Sequence, residues 1–144
     1  MKKTLCLIFS FCVGSLFADQ KTKTLDFYYK INMDPASRGA VYAVRKFGFG
    51  PAAMPTDVDW RIDGLGTSHP AAAGRNLAGD QVLFNHSNWF IWPGTQSRFV
   101  FVKTRAFNYK QGGPTILCWR SDPATGGIGG ASGYIALPSF QPVY

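Results

Sequence analysis

All eight acidic residues of this 144-residue chain are aspartates, and it contains no glutamate. Glutamate sits comfortably on helix surfaces, whereas aspartate's short side chain competes for the backbone and suits caps and turns. A chain without it, with 15% aromatic residues, 16 glycines and 9 prolines, is poorly equipped for helices and well equipped for short strands between tight turns. The expected class is all-β. Seven or eight short segments separated by turn signals predict a single-domain antiparallel β-sandwich, jelly-roll or Ig-like, or a small barrel.

The order of those segments follows from alternation. Leu25, Phe27, Tyr29 and Ile31 share one face of a half-buried strand. Residues 40–49 make a second, with Val41, Ala43, Arg45, Phe47 and Phe49 opposed to Tyr42, Val44 and Lys46. Residues 57–63 alternate most cleanly, with Val58, Trp60 and Ile62 expected inward. Residues 67–80 are small, polar or glycine and read as a long surface loop. Gln81–Phe84 and Trp89–Trp92 predict two short strands around the turn-like Asn85-His86-Ser87-Asn88. Residues 98–109 form the longest candidate, apolar on both faces at its centre, which places it mid-core. Gln111-Gly112-Gly113-Pro114 would connect it to Thr115–Trp119 as a central hairpin. Gly126–Gly133 reads as a flexible loop and Tyr134–Leu137 as the last inner strand. Pro138 and Pro142 confine the tail to an edge position or an extended cover.

The N-terminus predicts export. Lys2 and Lys3 precede an apolar run from Leu5 to Phe17, and Ala18 marks a cleavage point, with Ser15 as the alternative. The run is too short for a membrane anchor, so residues 1–18 are expected to leave as a secretory signal. Residues 19–144 would then be a single secreted or periplasmic domain with no remaining transmembrane span. Cys6 and Cys12 would depart with the leader. The remaining cysteine, Cys118, lies in the apolar run Thr115–Trp119 and is expected as a buried structural thiol.

Little in the chain points to catalysis. Asp57, Asp59 and Asp63 have a calcium-loop look, but Arg61 occupies the next ligand position and no glutamate can close the shell. Those aspartates read as an outward row whose repulsion Arg61 relieves. His69 and His86 have no acidic or cysteine neighbour at metal-ligand spacing. Gly130-Ala131-Ser132-Gly133-Tyr134 lacks the final glycine of a nucleophile elbow. The expectation is therefore no catalytic residue, no metal and no cofactor, and a small hydrolase built on a His–Asp pair is the remaining catalytic alternative. Thirteen basic residues after the leader are spread without a dense run, and no nucleic-acid motif occurs.

The residues that do point to a function are aromatic. Phe84, Trp89, Phe90, Ile91 and Trp92 crowd nine positions beside Asn88 and His86. Exposed aromatic planes next to amide and imidazole groups stack on sugar rings and bond their hydroxyls, and they also anchor at membrane interfaces. Burial of both faces between two sheets would explain the same residues. Lys103 and Arg105 extend the Phe99–Phe101 stripe into a basic rim. The expected function is an exported binding protein that recognises a glycan or a cell-surface or envelope component through Trp89, Trp92, His86, Asn88, Lys103 and Arg105. The alternatives are a secreted protein that interacts with lipid through the same residues, and recognition of another protein. Nothing in the chain indicates its oligomeric state. No motif assigns it to a family.

Overall fold

A computed structural model describes residues 10–18, 24–121 and 132–144. The residues described contain no helix; eleven strands make a two-sheet sandwich with an added ribbon. The first sheet has the order β1 (Ser10–Ala18), β2 (Leu25–Met33), β7 (Val100–Lys103), β4 (Asp57–Trp60). The second has the order β10 (Ser132–Leu137), β9 (Thr115–Ser121), β3 (Gly39–Phe47), β6 (Gln81–Asn85), β5 (Ala72–Arg75). β8 (Asn108–Gln111) and β11 (Phe140–Val143) form the ribbon. Every strand pair is antiparallel.

The core fills the space between the two larger sheets. Phe27, Tyr29, Ile31 and Met33 come from β2, and Val100 and Val102 from β7. Val41 and Val44 of β3, Val82 and Phe84 of β6, and Leu117 of β9 face them. Phe49, just beyond β3, packs edge-on to Phe27 with centroids 5.4 Å apart. Cys118 is buried and unpaired, as its apolar neighbours predict.

A bulge in β3 decides which residues face that core. Val41 pairs with Trp119, yet the next β9 residue, Cys118, pairs with Ala43, so Tyr42 is an extra residue. One inserted residue reverses every later side chain. Val44 and Lys46 therefore turn inward and Arg45 outward. Lys46 is wholly buried. Its ammonium lies 4.0 Å from the centre of the Tyr29 ring on the opposite sheet and donates to the hydroxyls of Thr115 and Ser139. A buried amine kept by hydroxyls and an aromatic face thus ties both sheets to the C-terminal tail.

Several further segments depart from the sequence expectation. In residues 57–63, Val58 and Trp60 pack partly buried against the core as expected, but the strand ends at Trp60. One last backbone bond runs from Arg61 N–H to the Phe99 carbonyl at 2.8 Å, and Ile62 is 83% exposed rather than inward. Alternation implies burial only while a strand stays in its sheet. Arg61 meets Asp63 at 2.7 Å, which matches the charge-relief reading of that row. The long loop at 67–80 contains β5, and Arg75 at its end donates to the carbonyls of Phe49, Pro51, Ala52, Met54 and Gly79.

Residues 98–109 are two strands. Thr104 donates to the Leu25 carbonyl and accepts from Ala106 N–H, so its side chain ends the ladder. The expected hairpin with Thr115–Trp119 does not form, because β8 pairs with β11 and β9 with β3 and β10. β10 is an edge strand, not an inner one. Ser132 and Gly133 belong to it, while residues 126–131 lie outside the described residues. The tail does occupy a ribbon edge, as its prolines require.

Replacing Lys46 by alanine leaves a void and strips the donor from two buried hydroxyls, so we expect a loss of about 2–4 kcal/mol in unfolding free energy. Lys46→Met, which keeps the apolar stem, should cost less. Equilibrium denaturant unfolding of both variants measures the difference.

Candidate functional site: an aromatic concavity at the Trp89 turn

The aromatic segment leaves the sheet just beyond β6. β6 pairs with β3 as far as Asn85, opposite Ala43. His86 N–H then donates to the carbonyl of the bulged Tyr42 at 2.7 Å. Ile91 and Val41 exchange two backbone hydrogen bonds of 3.0 Å. Between these anchors, residues 87–90 loop outward. Trp89 N–H closes the turn on the His86 carbonyl at 3.0 Å, and the Asn85 side chain accepts from Ser87 N–H at 2.9 Å. The second strand expected at Trp89–Trp92 is therefore a turn followed by a single bridge at Ile91.

The turn lifts Trp89 out of the sandwich. Its side chain is 55% exposed, Asn88 is exposed, and Trp92 is half-buried. These three, with Thr67, Ser68, Phe90 and Thr95, line a concavity of about 340 Å³. His69 stands beside it in a run of flat rings. It stacks on Trp60 at 6.3 Å and 14°, and lies 5.3 Å from Trp89. The run draws on β4, the segment before β5 and the Trp89 turn, three places far apart in sequence. Trp60 and His69 were not evident as partners of Trp89, since strand alternation assigns Trp60 to the core.

The chemistry around the rings is polar and uncharged. Thr67 Oγ1 donates to the Gln96 carbonyl at 3.2 Å, and Thr95 Oγ1 to the Trp92 carbonyl at 2.8 Å. Ser68 Oγ donates to the Trp89 carbonyl. With their protons committed to backbone, these hydroxyls offer lone pairs to an incoming donor. The Asn88 amide, with no partner among the described residues, offers both donors and an acceptor.

His86 sits beneath the turn rather than in the concavity. It is fully buried, and its Nδ1 lies 3.0 Å from Ser68 Oγ. Because that hydroxyl's proton points to the Trp89 carbonyl, Nδ1 must carry the hydrogen and donate. Nε2 is then an acceptor, buried without a partner among the described residues. Burial lowers the imidazole pKa from 6.5 to about 4, with the Trp89 backbone bond opposing and His69 adding a smaller downward push. The ring is neutral at pH 7. The other histidine bonds through Nδ1 to the Pro70 carbonyl at 2.9 Å, and among the described residues neither histidine meets an aspartate.

Lys103 and Arg105 lie elsewhere. Lys103 pairs in register with Asp26 and Asp57, at the opposite end of β7 from the Val100–Trp60 pair, and its ammonium lies 5.5 Å from the Phe101 ring. Arg105 follows it on the way to β8. A second concavity, of about 320 Å³, runs along β5 and β6 past Ala72, Ala73, Gly74 and Leu83. It has no aromatic plane, and the guanidinium at its rim, Arg75, is committed to backbone carbonyls.

The lowered pKa of His86 has a stability consequence. Between pH 6.5 and 4 the unfolded chain takes up a proton there and the folded chain does not. Stability is therefore complete above pH 6.5 and falls as pH drops towards 4, by roughly 3 kcal/mol from this group. His86→Asn, which keeps a donor for Ser68 and does not titrate, should flatten that part of the pH dependence. Denaturant unfolding at pH 7 and pH 4.5, wild type against variant, measures it.

Comparison of the chain with protein-family models, with curated proteins and with solved structures finds no match in any of the three.

Proposed function

We propose that this protein is an exported, non-catalytic binding protein, and that the concavity at the Trp89 turn takes a neutral sugar ring of a glycan. One observation carries the reading. Trp89 is a large apolar plane left more than half exposed, with an imidazole beside it and uncharged hydroxyl and amide groups around it. A tryptophan held out of the core gives up burial worth a few kcal/mol, and a ligand that covers it recovers that energy. Sugar rings have apolar C–H faces for the indole and hydroxyl donors for the lone pairs of Thr67 and Thr95. The lining contains no charged side chain, which favours a neutral saccharide over an acidic one.

Titration with neutral gluco-, manno- and chito-oligosaccharides, followed by tryptophan fluorescence, tests the reading. A binder should shift the emission, and Trp89→Ala should abolish binding while changing stability by less than about 1 kcal/mol, as expected of an exposed side chain. Loss of the fold in that variant, or binding that survives it, would remove the site from consideration.

Export belongs to the same proposal and rests on Lys2, Lys3 and the apolar run to Phe17. N-terminal sequencing of secreted or periplasmic material should begin at Asp19. Recovery of an intact Met1 from a membrane fraction would show an anchor instead.

A further inference from the structure

The β8–β11 ribbon presents a second aromatic surface, away from the Trp89 turn. Its register places Gln111 opposite Phe140 and Tyr109 opposite Pro142. Alternation puts Tyr109 and Phe140 on a single face, and Phe107 and Tyr144 adjoin them directly at the ends of the two strands. All four are exposed, between 42% and 67%, and Tyr109 and Phe140 pack edge to face with centroids 5.4 Å apart. Four exposed aromatics on two short strands are far more than the scattered apolar residues of an ordinary surface.

The ribbon is held firmly. Gln141, on its other face, packs so closely that a Cβ at Gly48 would lie 2.4 Å from its Oε1. Gly113, at φ +58°, has no room for a side chain, because a Cβ there would approach the Phe47 carbonyl oxygen to 2.2 Å. Ser139, which precedes β11, accepts from Gly112 N–H and holds the Lys46 ammonium. The aromatic face is thus a fixed plate rather than a loose tail.

The segments that build the plate, residues 104–121 and 132–144, contain no acidic residue. Arg105, which leads into it, is exposed and forms no ion pair among the described residues, whereas Lys110, opposite Gln141, lies on the ribbon's other face. Phenylalanine and tyrosine rings beside an exposed cation, with no acidic residue in the segments that carry them, match an interface whose interior is apolar and whose surface is anionic.

We propose that the outer face of the β8–β11 ribbon is a docking surface for an anionic lipid bilayer. Phe107, Tyr109, Phe140 and Tyr144 enter the headgroup–acyl boundary, while Arg105 meets lipid phosphates. The surface stands independently of the Trp89 site, so either can fail without the other.

Flotation of the purified chain with vesicles of phosphatidylcholine, with and without phosphatidylglycerol, tests it. The wild-type chain should float with the anionic vesicles and not with the neutral ones, and added salt should release it. Arg105→Gln should lower partitioning about fivefold. Phe107→Ser combined with Phe140→Ser should abolish flotation while leaving the melting temperature and any saccharide binding unchanged. Three results would overturn the proposal: no flotation with anionic vesicles, flotation indifferent to both sets of substitutions, or a concentration-dependent dimer in analytical ultracentrifugation that the serine variants dissolve while vesicles go unbound.

Discussion

One extra residue in β3 carries much of this architecture. Without the bulge at Tyr42, strand alternation would send Lys46 to solvent with Tyr42 and Val44, and the core would lose Val44. With it, an ammonium enters the sandwich, lies over the Tyr29 ring on the facing sheet and is taken up by two hydroxyls. An amine without its hydration is costly, so each of those partners is fixed in place by the need to satisfy it. Ser139 is among them, which is how an edge tail containing two prolines becomes part of the body.

The exposed aromatics depend on how β6 leaves that strand. His86 N–H still bonds the Tyr42 carbonyl, in register with the Ala43–Asn85 pair, so the ladder runs one residue past β6. The next capture joins Val41 to Ile91, and four residues of the opposing chain, 87–90, bow outward between the two, Trp89 among them. The candidate site is thus coupled to the sheet through the backbone on either side of the turn. The neutral His86 below the turn completes the coupling, since its Nδ1–H holds Ser68, and Ser68 holds the Trp89 carbonyl.

Strands with strong, uninterrupted alternation were legible in the sequence. β2 lies within one residue of the expected span and buries Phe27, Tyr29 and Ile31 as predicted, and β6 and β9 are where apolar runs bounded by turn residues place them. The absence of helix among the described residues followed from composition. The features that escaped were those that depended on a distant partner. β5, Ala72–Arg75, is a strand because β6 offers it a ladder, not because Ala-Ala-Gly-Arg has strand character. Thr104 ends β7 through a bond to Leu25, a residue far upstream. The exposed Trp89 was visible as an ambiguity, core or surface. Its neighbours Trp60 and His69 were not visible at all, because only the folded chain brings three remote rings side by side.

The first strand has a consequence of its own. Ser10–Ala18 occupies the margin of the four-stranded sheet and runs against β2 from Ser10 opposite Met33 to Ala18 opposite Leu25. A chain shortened by removal of residues 1–18 would therefore present the peptide groups of β2, nine residues long and carrying Phe27, Tyr29 and Ile31 on the inner face, as an unsatisfied template. Long bare margins of that kind recruit strands from other molecules. Full-length and shortened forms would then differ in which strand is bare: removal of β1 moves the open margin inward to β2, and the shortened form would need either charge repulsion between cationic copies or a borrowed strand to remain dispersed.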